Sequence, residues 1–86
     1  MMLRIDFEPK HDCAFIKVVP DGITKTNRQL SEEVVVDLDD EGTLIAVDVI
    51  LHAHATFGLN GPDAQARAQQ LVEWARVELA SRASSA

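Results

Sequence analysis

Apolar and polar residues alternate from the start of the chain. Leu3, Ile5 and Phe7 lie between Arg4, Asp6 and Glu8, the period-two signature of a half-buried β-strand. Pro9 breaks the run, and residues 8–12 read as a turn. A second strand is predicted over 13–19, with Ala14, Ile16 and Val18 on one face and Cys13, Phe15 and Lys17 on the other. Lys17 prefers water, so the first set is assigned to the core. Pro20, Asp21 and Gly22 mark a turn. The polar segment 23–30 alternates weakly and reads as a short edge strand, where Lys25 and Arg28 discourage unwanted pairing.

The strongest signal spans 33–51. Two β-branched runs flank an acidic turn that closes on Gly42, the pattern of a β-hairpin. Val34, Val36 and Leu38 are expected on one face, opposite Ile45, Val47 and Val49. Asp37 and Asp48 fall on the other face with Val35, Ala46 and Ile50. That outer face is too apolar to be comfortable in water, so cover is expected for it. Residues 52–61, with Gly58 and Gly61, read as a linker. Pro62 at a first helical position and Asp63 in the first turn announce a helix over 62–82. Ala64, Ala68, Leu71, Val72, Ala75 and Leu79 form its apolar stripe, with Trp74 at the edge. The expected fold is α+β: an antiparallel β-meander of about four strands with a C-terminal α-helix packed on one face. The 86 residues make one domain, with the sheet in 1–51, the linker in 52–61 and the helix in 62–82.

Charge and cysteine content narrow the function classes. Fourteen acidic against eight basic residues give a net charge of −6, which repels phosphate backbones, and no Lys/Arg cluster offsets it, so nucleic-acid binding is not expected. The acidity favours solubility and a basic partner. The single cysteine cannot form an internal disulfide, which argues against a secreted, stapled scaffold. Arg4, Asp6 and Glu8 interrupt any export signal, and no apolar run approaches the roughly 20 residues of a membrane helix. A cytoplasmic protein without membrane contact is the expectation.

At Asp12-Cys13-Ala14-Phe15-Ile16-Lys17-Val18, and again from Val34-Val35-Val36-Asp37-Leu38-Asp39 to Gly42, the chain resembles the small bacterial proteins catalogued as domain of unknown function 2283. Phe15 stands where that family has Tyr, and Cys13 where it usually has Ala. Ala46-Val47-Asp48-Val49-Ile50-Leu51 stands for its closing Gly-Ile-Glu-Ile-Leu stretch, with Ala46 replacing Gly and Asp48 replacing Glu. The resemblance covers the sheet and leaves out the helix from Pro62 onward. It implies the fold and carries no activity with it.

Four constellations compete for a chemical role. Asp37, Asp39, Glu41 and Gly42 mimic a calcium loop, and Asp48 falls at its twelfth position, but β-branched flanks deny the loop its helices. His11, Cys13, His52 and His54 have ligand types that suit zinc; their spacing matches no usual finger, and strand-end histidines are the commoner outcome. Cys13 with a nearby His could be a nucleophile, yet nothing supplies an oxyanion hole, and Asp12 would raise the thiol pKa. Asp37 and Asp48 could approach each other on facing strands. Such like charges call for a cation, from Arg28 or from an Arg of a second chain. No cofactor is expected.

One helix covers one sheet face, so self-association is expected to cover the rest. Val35, Ile50, Leu71, Trp74 and Val77 are the candidate interface residues, since large apolar and aromatic side chains dominate such contacts. The leading expectation is therefore a non-enzymatic interaction module acting as a homodimer. The alternatives are a small-molecule or metal-binding protein using the His and Cys residues, and an acidic, antitoxin-like partner of a basic protein.

Overall fold

The computed structural model describes residues 3–8, 13–50, 59 and 61–84, the side chains of 83 and 84 excepted. Five strands and one helix follow in order: β1 (Arg4–Glu8), β2 (Cys13–Lys17), β3 (Thr26–Gln29), β4 (Val34–Leu38), β5 (Leu44–Ile50) and α1 (Ala64–Ser84). The fold is α+β, as expected, with five strands rather than about four. The polar segment contributes the fifth as β3, whose four residues are all exposed. Its composition suits an edge, where no residue needs burial.

All strand pairs are antiparallel, and the spatial order is β1-β2-β5-β4-β3. β3, β4 and β5 follow one another as in a meander, but β5 then returns to pair with β2. The hairpin strand richest in aliphatic residues thereby becomes the centre of the sheet. Burial follows the alternation: β2 and β4 bury every second residue. Ala14, Ile16, Val34, Val36, Leu38, Val47 and Val49 form the inner face and pack with Ala68, Val72 and Ala75 of α1. Ile16, Val36, Val47 and Val49 are among the largest fully buried side chains, each stabilising the fold by roughly 1.5–3 kcal/mol.

One feature of β5 departs from simple alternation. Asp37 pairs with Ala46, whereas Leu38 pairs with Leu44, which leaves Ile45 as an extra residue. This bulge moves Leu44 into the core cluster in place of Ile45. Ile45 stays buried, and its carbonyl accepts hydrogen bonds from the amides of Val18 and Val19. A Cβ on Gly22 would stand 2.5 Å from Ile45 Cδ1, so Gly22 makes room for that side chain.

The acidic loop between β4 and β5 is a hairpin turn. Asp39 Oδ1 accepts the amides of Glu41 and Thr43 at 2.9 and 2.8 Å, and the Gly42 amide donates to Asp39 O. Gly42 has φ +82 with open space around it, so the backbone angle, and not crowding, demands glycine. Gly42→Val is expected to lose about 1–2 kcal/mol, read as a lower urea midpoint, while Gly42→Asn should lose much less. An unchanged midpoint in the valine variant would mean the turn does not hold this backbone angle.

The helix begins at Ala64 and ends at Ser84, two residues later at each end than the sequence suggested. The Asp63 carbonyl accepts the Arg67 amide, so Asp63 stands just before the helix rather than inside its first turn. Within the predicted linker, Leu59 is 1% exposed and belongs to the core cluster; 52–58 and 60 lie outside the described residues. Two polar clasps seat α1. The Gln65 side-chain amide both donates to and accepts from the backbone of Leu3, at 2.8 Å each. The Arg82 guanidinium donates to the carbonyls of Gln29 and Leu30 at 3.3 and 2.8 Å. Leu3 leads into edge strand β1, and Gln29 closes edge strand β3, so the helix is tied to both margins of the sheet. Among the described residues no helix is long and apolar enough to cross a membrane.

Candidate functional site

Because α1 lies on the inner face, the chemistry of the chain gathers on the outer one. Two rows of side chains run across the five strands there. One row is Arg4, Lys17, Ala46, Asp37 and Asn27; the next is Asp6, Phe15, Asp48, Val35 and Gln29. Every member of a row belongs to a different strand, and β5 supplies the middle residue of each. Asp48 lies directly between Phe15 and Val35, and Asp37 and Lys17 are its diagonal neighbours on either side. Such diagonal positions are roughly 7–8 Å apart at the backbone, close enough for side chains to meet.

The Asp37 and Asp48 side chains do meet. Asp48 is pushed up to about 7, first because half-burial penalises its charge, then because Asp37 repels a second negative charge and accepts a hydrogen bond from the protonated carboxyl. Lys17 pulls the other way, less strongly. The Asp48 carboxyl therefore keeps its proton well above the usual carboxylate range. Oδ1 of Asp48 is buried and has no hydrogen-bond partner, although such atoms are normally satisfied. Among the described residues neither acid forms an ion pair within 4 Å. The ammonium of Lys17 instead lies 5.8 Å from the Phe15 ring centre, within the range of a cation–π contact. The result is a partly desolvated acid pair on an apolar floor, beside a lysine not tied to either acid.

The expected cation from within the chain does not materialise. Arg28 pairs with Val36 and Asn27 with Asp37, so Arg28 points to the opposite side of the sheet from the acids. The candidate interface residues also separate. Val35 and Ile50 are on the outer face, whereas Leu71, Trp74 and Val77 are on α1, across the sheet from them. Leu71 packs against the core; Trp74 and Val77 are exposed. These five residues make two surfaces and not one.

Of the candidate metal ligands, His11, His52 and His54 lie outside the described residues. Cys13 is partly buried at the start of β2, opposite Ile50. Among the described residues no three His, Cys, Asp or Glu side chains could hold a metal ion together. A groove of about 230 Å³ runs beside α1, lined by Leu3, Val18, Gln69, Val72, Glu73 and Arg76. It is remote from the acid pair because it lies on the helix side.

Sequence pattern alone placed Asp37 and Asp48 outward but could not show that Lys17 shares their surface. That knowledge depends on the β2–β5 register, which no local pattern encodes. Comparison with known proteins adds one finding: the family model described as Protein of unknown function (DUF2283) matches residues 4–53. No curated protein and no solved structure matches. The matched span contains all five strands and ends before α1, so the outer face falls wholly within it.

Proposed function

The chain belongs to the DUF2283 family, and on that premise we propose that it is a non-enzymatic interaction module whose outer sheet face pairs with a second copy of itself. The observation that carries this reading is the outer face. Phe15, Val35 and Asp48 are half-buried there and Ile50 is exposed, while the helix is committed to the other side. Apolar side chains beside an acid pair and an untied lysine suit a protein partner better than bulk water.

The size of the face sets the strength of the association. Five strands at about 4.8 Å spacing and five residues in length give a footprint of about 24 by 17 Å, or about 400 Å² per copy. That is about 800 Å² in total, short of the roughly 1,000 Å² that a stable interface clears, so a weak, transient dimer is expected. Sedimentation equilibrium should therefore show a concentration-dependent dimer. Phe15→Thr, which removes the aromatic ring and keeps strand preference, should shift the chain to monomer with its circular dichroism intact. A wild-type chain that stays strictly monomeric up to about 1 mM sinks the reading.

A further inference from the structure

We propose that the two copies pack face to face about a twofold axis running close to β5, so that Lys17 of each copy meets the partner's Asp37. This arrangement rests on the self-association proposed above and adds its geometry. β5 is the middle strand of the five, so an axis along it exchanges β2 with the partner's β4 and β1 with the partner's β3. Each row of the outer face is then laid over itself in reverse.

The consequences can be read residue by residue. In the first row, Lys17 and Asp37 flank Ala46 from opposite sides, two strand spacings or about 10 Å apart within one chain. Reversal brings each over the other's opposite charge, and Arg4 over the partner's Asn27. Ala46 sits at the axis and, being 2% exposed within its own chain, adds almost no contact surface there. In the second row, Phe15 falls over the partner's Val35, apolar against apolar, while Asp48, in the middle position, falls over the partner's Asp48, a contact that requires at least one of the two carboxyls to carry a proton. Asp6 falls over the partner's Gln29, a carboxylate against an amide that can donate to it.

An axis across the strands through the second row would exchange the two ends of each strand. Lys17 would then fall over the partner's Cys13. Stacked sheets ordinarily align within about 30°, which an axis close to β5 permits. The partner's Lys17 also sets a cation over Asp37, from which the chain's own Lys17 is two strands away.

Charge reversal tests this geometry separately from dimerisation itself. Lys17→Glu and Asp37→Lys should each weaken self-association by about tenfold or more, because each sets like charges against each other across the axis. Mixed in equal amounts, the two variants should form a heterodimer. The introduced glutamate of one chain would then face the introduced lysine of the other at one contact, and the native pair would remain at the second. The double variant K17E/D37K in one chain should dimerise again, which guards against a single variant that folds poorly. Sedimentation equilibrium of each sample and of the mixture, with one variant fluorescently labelled, reads all four. A wild-type dimer that both single reversals leave unchanged, or a mixture and a double variant that fail to associate, overturns this geometry and leaves self-association standing. A monomeric wild-type chain overturns both.

Discussion

Asp48→Asn is expected to stabilise the chain at about pH 8 and to flatten the dependence of its stability on pH. The Asp48 carboxyl is raised from 3.8 to about 7 in the folded chain, chiefly by burial and then by Asp37. Between those values the folded state keeps a proton that the unfolded state has given up. Stability from this group is thus fully present below about pH 4, declines as pH rises through the window, and is lost once pH passes about 7. The side chain is only half-buried, so solvent screening reduces the effect to about 1–2 kcal/mol. Asparagine carries no charge to lose, and its amide can donate to Asp37 as the protonated acid does. Urea midpoints of wild type and variant between about pH 4 and pH 9, at low micromolar concentration to exclude dimer, supply the test. The other carboxylates cancel in the comparison. A wild-type excess in stability that grows towards alkaline pH would refute a raised Asp48 carboxyl.

Ile16→Ala should be the more damaging change, costing about 2–5 kcal/mol. Ile16 is 0% exposed, lies opposite Val47 and Ile5, and belongs to the cluster that α1 covers. Truncation removes the transfer energy of its side-chain carbons and leaves a cavity that strands pinned on both sides cannot close. A chain of this size has little stability in reserve, so a fall in Tm of at least about 10 °C is expected. The neighbouring Phe15→Thr provides the contrast. Phe15 is a larger residue but is half-buried on the outer face, so its loss should cost the isolated chain less than Ile16→Ala does, while costing the dimer more. Differential scanning calorimetry on dilute protein separates the two. Equal losses of Tm would mean that β2 does not present these residues to opposite sides.

The outer face explains why a sheet of aliphatic strands tolerates acids at its centre. Asp37 and Asp48 cannot both be charged cheaply beside Phe15 and Val35, and the proton that Asp48 retains relieves the conflict. The same pair would disfavour uncontrolled stacking of this face on unrelated apolar surfaces, since any such partner would bury an unpaired polar group. A partner that brings a lysine to the pair resolves the cost, and in the twofold arrangement proposed above a second copy brings one.

Much of the architecture was legible from residue order. Alternation in 3–8 and 13–19, β-branched runs on either side of Gly42 and an apolar stripe from Ala64 to Leu79 each report which side of an element meets the core. They do so because side-chain direction repeats every two residues in a strand and every 3.6 in a helix, and burial selects on that direction. Gly42 was readable for a similar reason: a positive φ leaves few residues a choice. The outward placement of Asp37 and Asp48 followed from the same alternation.

Other features depended on pairings between residues distant in sequence. Nothing local states that β5 lies beside β2, so nothing local could bring Lys17 to the surface that holds the acids or send Arg28 to the opposite one. The bulge that exchanges Leu44 for Ile45 in the core, the insertion of Leu59 and the separation of Val35 and Ile50 from Trp74 and Val77 are of the same kind. Each is settled by how strands and helix compete for a shared interior, a balance of packing energies over the whole chain. Residue order determined which side chains face inward; the tertiary structure alone decided which of the outward ones are neighbours, because neighbours across a sheet are set by register and strand order.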